Sequence, residues 1–107
     1  MLPRTNRLKS IKLHSPGILR EKNLLIRFRM KSTGDNRFAF VVSKRIFNSA
    51  VKRNELRRHL SECVRDLLVR INKPVDAVIV VRSGLITDEK NICLEVESLF
   101  KKTGLLL

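Results

Sequence analysis

The sequence contains no tryptophan and no tyrosine, and its aromatic content is limited to five phenylalanines. Four glycines and three prolines are too few for a fibrous or low-complexity chain, and two cysteines are too few for a disulfide scaffold. Its apolar runs are all shorter than the ~18 residues of a membrane span, and the N-terminus lacks the apolar stretch of a signal peptide. We therefore expect a single cytoplasmic domain over residues 1–107 that does not enter a membrane.

Acidic residues are scarce in one half of the chain. Residues 1–58 hold sixteen of the 23 Lys and Arg residues and only three acids, whereas residues 59–107 hold seven residues of each sign. The net charge of +13 therefore arises entirely from the first half. Because like charges repel one another in the folded state, this distribution predicts a polyanionic partner. Nucleic acid is the leading candidate, and a membrane-surface or acidic-protein adaptor is the alternative.

Groups suited to catalysis or metal binding are sparse. His14 and His59 are not paired with a nucleophile by any local motif, and no glycine-rich phosphate loop is present. Two Cys and two His scattered along the chain do not supply the four ligands of a typical metal site. Cys63 and Cys93 lie among apolar residues at helical spacing, and we interpret them as buried free thiols in a reducing cytosol. The sequence thus predicts no catalytic residue, metal, cofactor or small-molecule substrate in the protein itself.

Three segments have the pattern of β-strands. Residues 24–30 alternate between two faces, and residues 37 to 44 or 45 do the same after the polar turn at 32–36. The short loop predicts that these two strands form an antiparallel hairpin. The β-branched run Val75–Val81 predicts a strand covered on both faces. Residues 1–23 are interpreted as mostly irregular.

Two segments have helical periodicity. Asn48 or Ser49 is predicted to cap a helix with an apolar, a basic and an acidic face, which residues 72–74 end. A last helix is predicted over residues 88–102, capped by Thr87. The order strand, strand, helix, strand, helix predicts an α+β fold: a two-layer sandwich in which a small mixed β-sheet packs against helices, with a βαβ crossover.

Cations are concentrated where the second predicted strand ends and the first helix begins. Arginine binds phosphate through two parallel hydrogen bonds, and a helix N-terminus adds free N–H donors. A solvated face of ion pairs is the alternative, which the few local acids disfavour, and a helix-turn-helix is disfavoured because a strand follows. The candidate RNA-binding residues, which we call the basic strip, are Lys44, Arg45, Lys52, Arg53, Asn54, Arg57, Arg58 and Arg65.

Two phenylalanines lie on adjacent predicted strands close to cations. Phe28 and Phe40 are near Arg27 and Arg29 in this pattern. A sheet face that combines aromatic rings with cations can stack and hold an unpaired nucleic-acid strand. The alternative is that both phenylalanines are core residues beneath the helices. These four residues are therefore the second group of binding candidates.

The segment RFAFVVSKR at residues 37–45 and the segment AVKRNELRRHLSE at residues 50–62 form a distinctive strand-to-helix motif. Together with the opening LPRTNRL at residues 2–8, this motif resembles the protein subunit of bacterial ribonuclease P. The resemblance implies that the protein binds ribonuclease P RNA, which requires Mg²⁺ and itself hydrolyses the bond that frees the 5′ end of tRNA from its precursor. A general RNA-binding module of ribosomal-protein type, without tRNA processing, is the alternative.

The resemblance also implies roles for individual residues. It places Phe40 in a cleft that holds the 5′ leader of precursor tRNA, and we take Phe28, Arg27 and Arg29 as further candidates for that leader cleft. It implies a left-handed βαβ crossover, against the general right-handed preference. The residues that match its RNA-contacting helix motif are Arg53, Asn54, Arg57 and Arg58.

Three features depart from the family pattern. Glu55 and Ser61 stand where the family motif has arginines, which weakens the basic face of the helix. Residues 11–22 are shorter than the N-terminal helix of the family and contain Pro16 and Gly17.

Overall fold

The computed structural model describes residues 2–84 and 89–106. Its α-helices are α1 (Ala50–Leu67) and α2 (Glu89–Thr103), and its strands are β1 (Gly17–Arg20), β2 (Leu24–Met30), β3 (Arg37–Val41) and β4 (Val75–Val81). Short 3-10 helices occur at Arg4–Asn6 and Leu68–Arg70. The predicted α+β class is confirmed, with one four-stranded mixed sheet and two helices. The predicted cap Thr87 lies outside the described residues.

The strands lie in the order β1-β2-β4-β3. β2 is antiparallel to both β1 and β4, whereas β3 is parallel to β4. The predicted hairpin of β2 with β3 is therefore wrong, because β4 lies between them. Strands two places apart are separated by about 10 Å, which a six-residue connection at ~3.3 Å per residue spans easily. β3, α1 and β4 form the predicted βαβ crossover, whose handedness stays a prediction.

Strand β1 falls in the segment that the sequence analysis interpreted as irregular, and that interpretation is wrong for Gly17–Arg20. This strand lies at an edge of the sheet and three of its four residues are exposed, so it has no clear apolar alternation. Gly17 is paired with Phe28 of β2. A Cβ atom at Gly17 would lie 2.6 Å from Cζ of Phe28, so the close approach of the two strands requires glycine there.

The hydrophobic core lies between the sheet and the two helices. Ile26 of β2 and Ile79 of β4 are paired across the sheet and fully buried. The ring of Phe38 on β3 stacks on Phe100 of α2, with ring centroids 5.7 Å apart. The predicted apolar seams of both helices are confirmed, since their buried residues are Leu56, Leu60, Cys63, Val64 and Leu67 in α1 and Ile92, Val96, Leu99 and Phe100 in α2.

The ends of β3 and α1 differ from their predicted positions. β3 ends at Val41, because the chain turns with a hydrogen bond from the backbone N–H of Ile46 to the carbonyl of Ser43. Ser49 is the N-cap of α1, and its hydroxyl accepts a hydrogen bond from the backbone of Lys52. α1 continues as a 3-10 turn and stops before the predicted terminator at residues 72–74.

A disulfide joins the two helices. Cys63 of α1 is bonded to Cys93 of α2, with their Cα atoms 5.2 Å apart. The prediction of two buried free thiols is therefore wrong, and Cys93 is also exposed, whereas Cys63 is buried. Helical spacing predicts which face of its own helix a cysteine occupies. It does not predict which residue of the other helix packs against that face. Packing of α1 against α2 brings the two cysteines within bonding range.

Candidate nucleic-acid interface

The basic strip begins at the turn after β3 and continues along the first turns of α1. Lys44 and Arg45 are exposed in the turn, and Lys52, Asn54 and Arg58 are exposed on the helix. Arg53 and Arg57 are half-buried and hold these two parts together. Arg65 follows Arg58 by seven residues, about 10 Å along the helix axis, and its Nε lies 3.8 Å from the carboxylate of Asp66.

Arg53 anchors the loop that leads into α1. Its Nη1 donates hydrogen bonds to the carbonyl oxygens of Phe47 and Asn48, at 2.9 and 3.0 Å. Both acceptors are neutral, so the positive charge of Arg53 is not cancelled. Arg53 therefore combines a structural role with a contribution to the local positive field.

Arg57 connects α1 to the end of β3. Its guanidinium donates to the amide oxygen of Asn54 at 2.6 Å and to the backbone carbonyl of Val42 at 3.4 Å. These contacts orient the guanidinium without neutralising it. Among the residues that the structure describes, Lys44, Arg45, Lys52 and Arg58 have no hydrogen bond or ion pair from their side chains.

Apart from Asp66 beside Arg65, the carboxylates that form ion pairs among the described residues lie away from the basic strip. Glu97 pairs with Arg70 at 3.0 Å, and Glu21 pairs with Lys102. The hydrogen bond from Lys102 lowers the pKa of Glu21, and the hydrogen bond from Arg70 lowers the pKa of Glu97. Within residues 2–84 and 89–106, no ion pair involves a cation of residues 43–58. The cations of residues 43–58 therefore have no carboxylate within ion-pair distance among the described residues, and their role in binding a polyanion stays a prediction.

A cavity of about 360 Å³ opens beside the basic strip, between α1, β3 and the N-terminal segment. Its lining residues are Leu2, Arg7, Phe38, Phe40, Asn54, Arg57, Arg58 and Ser61. The sequence analysis did not include Arg7 or Leu2 among the binding candidates. The signal for them was the LPRTNRL opening, which bears on the family resemblance but does not show where the segment packs.

Ser61 holds the N-terminal segment against α1. Its hydroxyl accepts a hydrogen bond of 2.9 Å from the backbone N–H of Leu2, and the carbonyl of Leu2 accepts one of 2.9 Å from Nε of Arg7. Ser61 is buried beneath this contact. Ser61, which stands where the resembled motif has an arginine, therefore has a structural role, because its hydroxyl accepts the backbone N–H of Leu2.

The four leader-cleft candidates do not form one surface. Phe28 and Phe40 lie on the face of the sheet that the helices cover, and both pack against the core. Arg27 and Arg29 alternate with Phe28 along β2 and are paired with Val78 and Asp76, on the opposite face. The prediction that these rings and these cations share one sheet face is therefore wrong, whereas the leader-cleft role of the individual residues stays a prediction. Side chains of adjacent residues in a strand point to opposite faces of the sheet, so Phe28 cannot share a face with Arg27 or Arg29. Of the four candidates, only Phe40 lies beside the basic strip.

Within the described residues, no three His, Cys, Asp or Glu side chains are grouped as a metal site would require. None of the helices described is both long and apolar enough to cross a membrane.

Comparison with known proteins decides the family. Residues 2–104 match the family model described as Ribonuclease P. The chain belongs to the ribonuclease P protein family. The resemblance seen in the strand-to-helix motif is thereby confirmed. The ribonuclease P protein component of Synechococcus elongatus is 34% identical over 77 residues, which are 72% of this chain and 62% of that relative. The match thus spans less than two thirds of the relative's length.

Solved structures of ribonuclease P proteins have the same fold. The protein from Thermotoga maritima superposes with a TM-score of 0.74 at 24% identity, covering 82% of this chain and 84% of that one. The protein from Staphylococcus aureus superposes with a TM-score of 0.76 at 19% identity, covering 99% and 95% of the two chains. At these identities the likeness shows the α+β sandwich and the position of its crossover helix.

Proposed function

We propose that this protein binds the RNA subunit of a ribonuclease P ribonucleoprotein in the cytoplasm and assists removal of the 5′ leader from precursor tRNA. In this proposal residues 1–107 act as one RNA-binding domain and the active site lies in the RNA. Membership of the family supports the partner. The observation that carries the proposal is the part of the basic strip within residues 43–58. It holds six cations, none of which has a carboxylate partner among the described residues.

The basic strip would act on the RNA backbone by electrostatics and position. Exposed Lys44, Arg45, Lys52 and Arg58 are available to displace counterions from phosphates, and each phosphate contact contributes about 0.7–0.9 to the slope of log K against log salt. If all six cations engage, the slope is roughly 4–5. The free N–H groups at the N-terminus of α1 favour a phosphate at the same place.

The protein would supply charge and the RNA would supply the chemistry. Phosphate-rich RNA folds and binds precursor only when its own repulsion is offset, and Mg²⁺ held by the RNA is the usual counter-charge. Fixed cations on the protein replace part of that requirement. The expected consequence is cleavage of precursor tRNA at a lower Mg²⁺ concentration in the presence of the protein.

Reconstitution tests the proposal. The full chain is added to a bacterial ribonuclease P RNA with 5′-leader-bearing precursor tRNA, and cleavage is measured across a Mg²⁺ titration. The midpoint should move to lower Mg²⁺ with the protein, and Arg57→Glu with Arg58→Glu should abolish both this shift and RNA binding. RNA binding without any effect on cleavage would leave only a general RNA-binding module.

The matched control is Lys73→Glu with Lys101→Glu, which changes the net charge equally. α1 is about 27 Å long, and both control residues lie beyond its C-terminal end or in the last turn of α2. These variants should retain most of the binding. Equal losses in the two double variants would mean that net charge, and not the basic strip, accounts for the affinity.

A further inference from the structure

The disulfide between α1 and α2 lies at the edge of the core, beside a groove that opens to solvent. Cys93 is exposed, whereas Cys63 is only 4% exposed. The groove has a volume of about 210 Å³, and its lining residues are Cys63, Asp66, Leu67, Lys90, Cys93, Leu94 and Glu97. A molecule in solution can therefore reach the bond, and it meets Cys93 first.

The fold does not require this bond to be permanent. A chain of 107 residues can bury enough apolar surface to fold without covalent links. The two helices also bury Leu60 and Val64 of α1 and Val96 and Leu99 of α2 completely. Cytoplasmic thiols are kept reduced, and the disulfides that do form there are usually transient, catalytic or redox-sensing. An accessible disulfide in that compartment is expected to exchange with thiols.

The two sulfurs differ in what can reach them. A thiolate breaks a disulfide by attacking one of its sulfurs, and the rate depends on access to that sulfur. Attack on Cys93 forms a bond between its Sγ and the incoming sulfur, and the electron pair of the broken bond goes to Sγ of Cys63. Cys63 then takes up a proton from solvent and becomes a buried thiol. Attack on Cys63 is disfavoured, because the core covers it.

The mixed disulfide on Cys93 can be removed in two ways. A second thiolate attacks the added sulfur, which releases Cys93 as a thiol. Over both steps the protein gains two electrons and two protons, and two thiols are oxidised to one disulfide. Alternatively, Cys63 attacks Sγ of Cys93 and expels the added thiol, since packing of the helices holds the two Cα atoms 5.2 Å apart. The modification is therefore reversible.

The size and place of the groove limit what it accepts. Its volume of about 210 Å³ lies below the ~300–1,000 Å³ range of sites that enclose a small molecule, so it admits the thiol end of a small molecule. Cys63 lies five residues after Arg58, which is about 140° around the axis of α1. The groove is thus on the side of α1 away from Arg58, and a group attached there leaves the basic strip open.

We propose that Cys93 is a site of reversible modification by low-molecular-weight thiols, with Cys63 as the buried thiol that is released and that restores the bond. The inference goes beyond RNA binding and rests on the proposed function only for its cytoplasmic location. Its chemistry is measured on the protein without RNA, so failure of either proposal leaves the other standing.

Glutathione is the probe for the unmodified protein. The folded chain is incubated with excess glutathione, quenched with N-ethylmaleimide and digested with trypsin without reductant. Trypsin releases residues 59–65 as HLSECVR and residues 91–101 as NICLEVESLFK, so each cysteine is on its own peptide. Glutathione should be at least about tenfold more abundant on residues 91–101, with N-ethylmaleimide on residues 59–65.

The same reaction in a denaturing concentration of urea is the control. Unfolding exposes both sulfurs, so the two peptides should then carry glutathione in amounts within about twofold of each other. An equal distribution without urea would show that exchange occurs only after the chain unfolds. Absence of any adduct without urea would show that the folded disulfide does not exchange. Either result would overturn the inference.

Two single variants form a matched pair for the second test. Cys63→Ser leaves only the thiol of Cys93, Cys93→Ser leaves only that of Cys63, and both lose the same bond. With oxidised glutathione, Cys63→Ser should form its mixed disulfide at least about tenfold faster than Cys93→Ser. Equal rates would contradict the proposed difference between the two sulfurs. Should either variant not fold, the peptide analysis of the unmodified protein decides.

Discussion

The guanidinium of Arg37 on β3 donates two hydrogen bonds, of 2.9 and 2.8 Å, to the carboxylate of Asp76 on β4, at a position where the two parallel strands are in register. Nζ of Lys31 lies 2.9 Å from the same carboxylate. Asp76 is 9% exposed, so this is one of the few charges that the fold buries. The carboxylate of Asp76 joins β3, β4 and the connection that follows β2, and none of these contacts involves a residue of α1.

Replacing this carboxylate should weaken the fold in a pH-dependent way. Burial alone raises the pKa of Asp76, but hydrogen bonds from Arg37 and Lys31 outweigh it and hold the pKa below its ordinary value. The resulting stability is present above the unfolded pKa of about 3.9 and is lost as pH falls through the folded value. Asp76→Asn should therefore lower the free energy of unfolding by about 1–3 kcal/mol at pH 7.

Urea unfolding at pH 7 and at pH 3 checks this. The difference in stability between the parent and Asp76→Asn should be large at pH 7 and smaller at pH 3. A difference that stays constant over this range would show that the ionised carboxylate contributes nothing.

The salt dependence of RNA binding should separate Arg58 from a paired arginine. Arg58→Ala removes a cation with no partner among the described residues and should reduce the slope of log K against log salt by about 0.7–0.9. Arg70→Ala removes a guanidinium 3.0 Å from Glu97 and should leave the slope unchanged. Filter binding across a salt series measures both, and equal slopes for the two variants would place the phosphates elsewhere.

Reduction of the disulfide should lower stability without disturbing the basic strip. Cys63 and Cys93 are 30 residues apart. A disulfide that closes such a loop lowers the entropy of the unfolded chain, which stabilises the folded protein by about 3–4 kcal/mol. Reductant should shift the urea midpoint of the parent protein downward by the corresponding amount. The double variant Cys63→Ser with Cys93→Ser is the control and should not respond to reductant. A parent midpoint indifferent to reductant would mean that the bond adds no stability.

The contact between Gly17 and Phe28 should be visible as a coupling energy. Gly17→Ala places a methyl group against the ring and should destabilise the protein by about 1–3 kcal/mol. In a Phe28→Ala background, Gly17→Ala should reduce the free energy of unfolding by less, because the ring that its methyl group would meet is absent. Thermal unfolding of the four proteins in this double-mutant cycle gives the coupling, and additive effects would contradict a steric cause.

Local pattern was sufficient for much of the fold. The run Val75–Val81 was predicted as a strand covered on both faces and is β4, a buried inner strand of the sheet. The apolar seams of α1 and α2 were also predicted, since a helix buries one face wherever its partner lies. Ser49 as the N-cap followed from residue type and position.

What local pattern missed depends on distant partners. The sequence analysis paired β3 with β2, its neighbour in sequence. In the structure β4, which follows α1 in the chain, lies between β2 and β3 and pairs with both. The link between Cys63 and Cys93 depends on how two helices pack, and the cavity depends on Ser61 accepting the backbone of Leu2. Within the basic strip, residue type predicted the charges but not that Arg53 and Arg57 also anchor the loop.

The strand order has a consequence for synthesis of the chain. The inner strand β4 is the last of the described strands in the sequence, and β3 is paired with no other described strand. Until Val81 has left the ribosome, the emerging protein carries nearly all of its excess charge on a segment that cannot complete its sheet. Under the proposed function, RNA that meets the chain at that stage would encounter cations that no folded surface arranges, and selective binding would require β4 to be in place.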